Sequence, residues 1–484
     1  MSDMDRRSVL LVSYQFPPFG GSGVQRALKL AKYLPQHGWT VHVLTAGHRH
    51  YSAMDETLLD ELGERVIVHP VRGFEPGGLA AGVNAGLGRW LPLSIERRLY
   101  WRFERWSGRL RLPEVESLWV GSALRAARRI IRRHGIDVVL TTSPPHVVHR
   151  IGATLKREYR LPWIADLRDP IRDNFTFDST KAGLRQARWR AMVERQIVRS
   201  TDRVVVTCPE LADRLVTRYG SRFASKFVFI PNGFDPADAP VESSSTPIGQ
   251  ALPKTPARVS AESAASLFKL GYVGAFYGAQ SVEPLRLAVR ALVSRRPDLT
   301  KRLRIDVVGH VSGPQREKFD STDLARFVFR GRVSHAEAIR AMASADALFL
   351  MTPLNEGGRY CIPAKVFEYL AFGRHVVALV HAGTELARIL GRAGNTTVIH
   401  HGDGAIERLS AALEAKLLDS QVPAQELGRS REFLAPYLRS TQARQFAELL
   451  KTCRVSKRQC IEPASDSSPA IPTIKVVSPI GGRP

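Results

Sequence analysis

The stretch SVLLVSYQFPPFGGSGVQRALKLAKYL, residues 8–34, decides the fold. It opens with a short apolar run and passes through a Pro- and Gly-rich segment. Val24, Ala27, Leu28, Ala31 and Leu34 then recur at helical spacing. The order is strand, glycine loop, helix. Outward from it, apolar runs at residues 39–45, 138–141, 163–167 and 203–207 alternate with helical stretches such as 123–133 and 188–199. Such alternation predicts an α/β fold with a parallel sheet covered on both faces.

After Pro231-Asn232-Gly233-Phe234-Asp235 the periodicity lapses, and residues 238–266 are rich in Ser, Pro and Ala. That composition reads as a linker or surface insertion. The alternation then resumes, with strands expected at 270–273, 305–308, 327–329, 347–351 and 375–380. Leu285, Ala288, Val289 and Leu292 mark a helix between the first two. Ser334-His-Ala-Glu337 fits a capping box, and Pro363 suits a first helical turn. The expected division is a first domain over 1–237, a linker over 238–266, a second domain with terminal helices over 267–452, and a disordered polar tail over 453–484. A length of 484 residues suits two or three domains.

Apolar residues make up 44% and charged residues 24%, with no uninterrupted apolar run of the roughly 20 residues a membrane span needs. Cys208, Cys361, Cys453 and Cys460 show no C-x-x-C spacing, which argues against a disulfide framework or a cysteine zinc site. The apolar run near the N-terminus is too brief for a signal peptide's core, so a cytoplasmic location is expected. The 70 Lys plus Arg against 46 Asp plus Glu give a net charge of +24, a field that attracts phosphates, nucleic acid or an anionic membrane.

Four segments offer chemistry. Gly20 and Gly21 sit where a strand meets a helix, so backbone N–H groups can approach an anion; a tight turn needing positive φ is the alternative. Arg26 on the following turn could add charge there. Asp166, Arg168 and Asp169 fall at the C-terminal end of a strand, where open α/β sheets bind ligands, though an Asp capping a turn and pairing with Arg168 reads equally well. His146, in Ser143-Pro-Pro-His146, occupies a similar edge and could contact a substrate hydroxyl or be structural. The fourth segment, residues 355–370, is a glycine-containing loop feeding a helix. Lys365 and Glu368 are neighbours on one helical face, so a first-turn lysine can meet a diphosphate while the carboxylate accepts ribose hydroxyls. An exposed Lys/Glu pair is the alternative.

Residues 94–112 place Ile95, Leu99, Phe103, Trp106 and Leu110 on one helical stripe, flanked by Arg98, Arg102 and Arg105. A basic face with aromatic edges suits an anionic lipid interface, and equally an ordinary stripe packed on its own domain. No nucleic-acid-binding signature accompanies the charge.

Taken together, PPFGGSGVQRALKLAKYLPQHGW, TTSPPH, PWIADLRDP, VFIPNGFD, LGYVGAFYG, GRVSHAEAIRAMASADALFLM and IPAKVFEYLAFGRHVVAL resemble the family-4 retaining glycosyltransferases of surface-polysaccharide assembly. The resemblance spans residues 9–402. It implies the GT-B fold, two Rossmann-like domains with parallel sheets facing across a cleft, the second holding a nucleotide-sugar donor and the first the acceptor. Glu368 matches the second glutamate of the family's Glu, seven residues, Glu motif, and Tyr360 stands where the first would be.

The resemblance further implies front-face transfer with retention, Lys365 and the Gly20, Gly21 and Gly274 backbones stabilising the leaving diphosphate. Asp169 would orient or activate the acceptor, in competition with Asp166 and His146. No cofactor and no metal are expected, because Asp3-Met-Asp5 precedes the first strand. The expected activity is transfer of a hexose to a lipid-linked polysaccharide or glycoconjugate precursor, with Arg98, Arg102, Arg105 and Trp106 at the membrane face. A nucleotide-sugar epimerase on the same fold, or a silent sugar-nucleotide-binding scaffold, are the alternatives.

Overall fold

The computed structural model describes residues 7–47, 54–73, 114–174, 183–238, 267–276, 279–324, 326–419 and 431–453. The first sheet contains β1 (Arg7–Ser13), β2 (Trp39–Ala46), β3 (Val66–Val71), β4 (Val138–Ser143), β5 (Trp163–Leu167), β6 (Arg203–Val206) and β7 (Phe227–Phe229). Its strand order is β3-β2-β1-β4-β5-β6-β7. The second contains β8 (Phe268–Val273), β9 (Leu303–Val308), β10 (Phe327–Gly331), β11 (Ala347–Met351), β12 (His375–Val380) and β13 (Thr396–His400), in the order β10-β9-β8-β11-β12-β13. The strand pairings are parallel throughout. Each sheet therefore reverses direction beside its first strand, and the β1/β4 and β8/β11 crevices are the places where such sheets hold ligands.

The helices that position the site are α1 (Ser22–Tyr33), α2 (Val120–His134), α3 (Val148–Tyr159), α4 (Gly183–Ser200), α5 (Pro209–Tyr219), α6 (Glu283–Arg295), α7 (His335–Ala343), α8 (Lys365–Ala371), α9 (Glu385–Ala393), α10 (Ala405–Asp419) and α11 (Arg439–Thr452). β1 is buried from Val9 to Ser13, as a central strand covered on both faces must be. The capping box forms at α7: the Glu337 N–H donates to Ser334 Oγ at 3.3 Å, and the Ser334 N–H donates to Glu337 Oε2 at 2.8 Å. Pro363 stands two residues before α8 rather than inside it, its carbonyl accepting from the Val366 N–H at 3.1 Å.

The division of the chain differs from expectation at one point. Helix α11, expected to close the second domain, packs against α1 of the first, with the Arg26 guanidinium 5.3 Å from the Phe446 ring centroid. The return crossing is pinned where Phe234 N–H donates to Tyr437 O at 3.0 Å and Arg439 N–H donates to Phe234 O at 2.9 Å. A side chain at Gly233 would collide with Tyr437 O, which fixes that position as glycine. One hydrophobic cluster runs from the first sheet through Tyr437, Phe446 and Leu450 to Val366 and Phe367; a second fills the other face of the second sheet around Tyr272, Phe276 and Phe349.

Among the described residues no helix is long and apolar enough to cross a membrane. Residues 94–112, with Arg98, Arg102, Arg105 and Trp106, lie outside the described residues, as do the linker residues 239–266 and the tail residues 454–484.

A candidate active site in the interdomain cleft

The crevice edge of the first sheet is built around two buried arginines. Arg26 Nε and Nη2 each lie 2.9 Å from an oxygen of Asp166, a bidentate pair with exposures of 2% and 0%. The same guanidinium donates to Pro231 O at 2.7 Å and Ile230 O at 3.1 Å, and Thr142 Oγ1 donates to Asp166 Oδ2 at 2.7 Å. Charge and hydrogen-bonding capacity are spent inside the fold. The Arg26 guanidinium, expected to add charge at the glycine loop, is therefore engaged by Asp166 and two carbonyls, and Asp166 is buried in that pair. Arg168 likewise donates to carbonyls, Ser143 O at 2.6 Å, Pro144 O at 3.1 Å and Gly23 O, tying the loops after β1, β4 and β5 together.

Asp169, one residue on, is half-buried and accepts no hydrogen bond from another described residue. Burial raises its carboxyl pKa against the opposing pull of Arg168. His146 is buried, its Nδ1 3.2 Å from Ser143 Oγ, while Glu114 accepts from the His146 and Val147 N–H groups at 3.2 and 2.8 Å. Burial first, and then His149, Arg190 and Arg168, hold its pKa well below the ordinary histidine range, so the imidazole is neutral. Gly21 caps α1 with φ 92°, a conformation that favours glycine, and Gly20 precedes it.

The facing edge belongs to the second sheet. Lys365 is the first residue of α8, and its Nζ sits 3.7 Å from the centroid of the Tyr272 ring, a cation–π contact with the last turn of β8. Gly274 has φ 147°, and a Cβ there would lie 2.7 Å from Lys365 Nζ. Only glycine leaves the amine its place. Lys365 has no ion pair or hydrogen bond to another described residue, and burial lowers its pKa to about 7, with Cys361 and Glu368 pulling weakly upward. The Glu368 carboxylate, one turn on, also accepts no hydrogen bond from another described residue; burial raises its pKa while His335 and Arg439 oppose.

Gly309 abuts Gly274 so closely that a Cβ would strike the Gly274 carbonyl. From there a half-open cavity of about 410 Å³ extends along the ends of β9 and β10, lined by His310, Val311, Arg316, Phe329 and Arg332. Arg316 lies 4.9 Å from the Phe329 ring centroid. The volume is that of a small-ligand site, and it connects to the Lys365 amine through the Gly309–Gly274 contact.

The two edges meet at Cys361. Its thiol is pushed up to about 12 by burial first, with Asp169 of the first sheet adding to the rise and Lys365 opposing. Asp169, Cys361 and Lys365 thus share one electrostatic environment across the cleft. Tyr360 is buried, its carbonyl 3.4 Å from Cys208 Sγ, and it belongs to the core that joins the two halves. Glu356 stays at the surface beside Arg359, 3.6 Å away.

Behind the cleft, Lys29 Nζ contacts Glu61 Oε2 at 2.6 Å, Asp238 Oδ1 at 2.5 Å and Asp235 Oδ2 at 3.0 Å, and Lys32 joins Glu61 and Asp235 at 2.7 and 3.1 Å. These three carboxylates lie close enough to hold a cation, and the two ammonium groups already fill that role. Tyr272, His335 and Arg439 were not legible as site residues: Tyr272 is an unmarked strand aromatic, and the other two reach Glu368 only through tertiary folding.

Residues 20–233 match the family described as a glycosyl transferase 4-like domain, and residues 268–419 match the family described as glycosyl transferases group 1. No curated protein sequence matches the chain. Among solved structures, sucrose-phosphate synthase from Thermosynechococcus elongatus is similar with a TM-score of 0.63 at 16% identity, covering 92% of this chain and 98% of its own. Anabaena HepE, solved in complex with UDP and glucose, has a TM-score of 0.56 at 15% identity over 92% and 100%. WaaG, a glycosyltransferase involved in lipopolysaccharide biosynthesis, has a TM-score of 0.53 at 15% identity over the same shares. Two facing doubly wound sheets with these two domains define a GT-B enzyme. The chain belongs to the family-4 type of GT-B glycosyltransferases.

Proposed function

We propose that the enzyme moves a hexose from a nucleotide-sugar donor to a lipid-linked polysaccharide or glycoconjugate precursor, with retention of anomeric configuration. The observation that carries this reading is Lys365: an amine with no hydrogen bond or ion pair to another described residue, held over an aromatic face and against Gly274, which in turn abuts Gly309 at the edge of the cavity at β9 and β10. A nucleoside occupies that cavity, its ribose hydroxyls donate to Glu368, and the diphosphate lies between Lys365 and the Gly274, Gly20 and Gly21 backbones. Tyr360 shapes this side of the cleft through packing.

The acceptor hydroxyl lies on the Asp169 and His146 side. Its oxygen forms the new bond to the anomeric carbon as the bond from that carbon to the diphosphate oxygen breaks. A phosphate oxygen takes the hydroxyl proton, and Lys365 stabilises the charge left on the diphosphate. A neutral His146, its Nδ1 3.2 Å from Ser143 Oγ, offers its other ring nitrogen to the sugar, while Asp169 orients the attacking hydroxyl. No metal or cofactor is required by this route. Arg98, Arg102, Arg105 and Trp106 hold the enzyme against an anionic membrane face, the inner surface of a cytoplasmic membrane.

The test is release of free nucleotide from a panel of UDP-, GDP- and dTDP-sugars, with and without an extract of lipid-linked acceptors. Acceptor-stimulated release from one donor is expected. Release without any glycosylated product, or donor binding without turnover, overturns the reading. The membrane arm is checked by cosedimentation with anionic vesicles, which must be lost at high salt and on changing Arg98, Arg102 and Arg105 to Glu.

A further inference from the structure

Away from the cleft, three histidines converge. His42 on β2 and His69 on β3 lie on one face of the sheet, since His42 is in register with Ile67 and Leu44 with His69. Both are buried, at 2% and 4% exposure, and His42 Nδ1 is 3.1 Å from His69 Nε2. His134, the last residue of α2, is exposed and brings its ring centroid to 4.4 Å from that of His42 and 6.0 Å from that of His69. One nitrogen from each of the three rings lies within 4.8 Å of the others.

The three imidazoles share a single hydrogen bond, and no other nitrogen of their rings has a partner among the described residues, so those nitrogens are free to bind a ligand.

We propose that His42, His69 and His134 form a three-imidazole site for a divalent transition-metal cation, which fastens the end of α2 to the β2–β3 edge. Nitrogens around a tetrahedral zinc stand roughly 3.4 Å apart, given Zn–N bonds near 2.0–2.1 Å, so the His42–His69 spacing already fits and the exposed His134 ring swings in to close the triangle. Imidazole ligands without a carboxylate select zinc, nickel or copper over magnesium or calcium. The cation would also meet the negative end of the α2 dipole, with the exposed Arg133 as the opposing charge. Because α2 passes through Gly135 directly into β4, its end lies at the strands' N-terminal edge, opposite the cleft. The site is thus architectural and independent of the transfer chemistry, its fourth position open to water.

The experiment uses the full chain, purified without a polyhistidine tag, stripped with chelator and titrated with zinc chloride; cobalt(II) serves as a spectroscopic probe of tetrahedral nitrogen ligation. One zinc per chain and a raised melting temperature on zinc addition are expected. His134→Gln, at an exposed position, should leave the metal-free melting temperature unchanged and weaken zinc binding by about tenfold or more. His69→Gln should abolish the tetrahedral cobalt spectrum. Failure of the wild-type chain to retain stoichiometric zinc, or equal zinc affinity in wild type and His134→Gln, overturns the proposal.

Discussion

Asp238 Oδ2 lies 3.4 Å from His335 Nε2, an ion pair joining the first half of the molecule to the opening residue of α7 in the second. Burial works against the charged imidazole, yet Asp238 and Glu368 outweigh it and the His335 pKa is raised. A raised folded-state value means the pair's stabilisation is complete below the unfolded value, about 6.5, and is lost as pH climbs through the folded value. His335→Gln should therefore cost about 1 kcal/mol at mildly acidic pH and progressively less as the solution turns alkaline. Paired melting curves across pH read this directly; a gap that stays constant with pH would refute it.

Lys365, held down to about 7, should be largely neutral in the free enzyme above that pH. A bound diphosphate restores the charge, so donor binding takes up a proton and weakens as pH rises above neutrality. Calorimetry in two buffers of different ionisation heat measures the uptake. Lys365→Met should abolish it and lower turnover roughly 100- to 1,000-fold, the usual effect of removing one stabiliser of developing charge.

Gly274→Ala tests the cradle itself. The new Cβ would sit 2.7 Å from Lys365 Nζ, at a φ of 147° that side chains rarely adopt. Strain of about 1–3 kcal/mol and a displaced amine should follow, with donor turnover falling at least tenfold while the fold survives. Unchanged kinetics would separate Gly274 from the diphosphate.

Asp166→Ala should behave in the opposite way. It leaves the Arg26 guanidinium buried and uncompensated, costing about 3–5 kcal/mol in urea unfolding. Asp169→Asn, at a carboxyl that accepts no hydrogen bond from another described residue, should leave stability near wild type and lower turnover. The contrast between neighbours three residues apart distinguishes architecture from chemistry.

What the sequence carried was local. The β1–loop–α1 unit, the Ser334 capping box and the Lys365–Glu368 spacing are written in neighbouring residues, and each stands where the pattern places it. Strands β3, β7 and β13 escaped because the first contains Pro70, tolerated on an edge strand, the second is three residues long, and the third is mostly half-buried and polar at both ends. Arg26 misled for a different reason. Its partner Asp166 lies 140 residues away, so nothing near it in the chain reveals that its charge is already engaged. Tyr272 and His335 share that difficulty.

The segment that precedes residues 239–266 and the segment that leads into α11 are hydrogen-bonded to each other at Phe234, Tyr437 and Arg439. Two attachments far apart would tie the halves together at two places. Side by side, they constrain them at one, and Gly233, with no room for a side chain, is where the two segments touch.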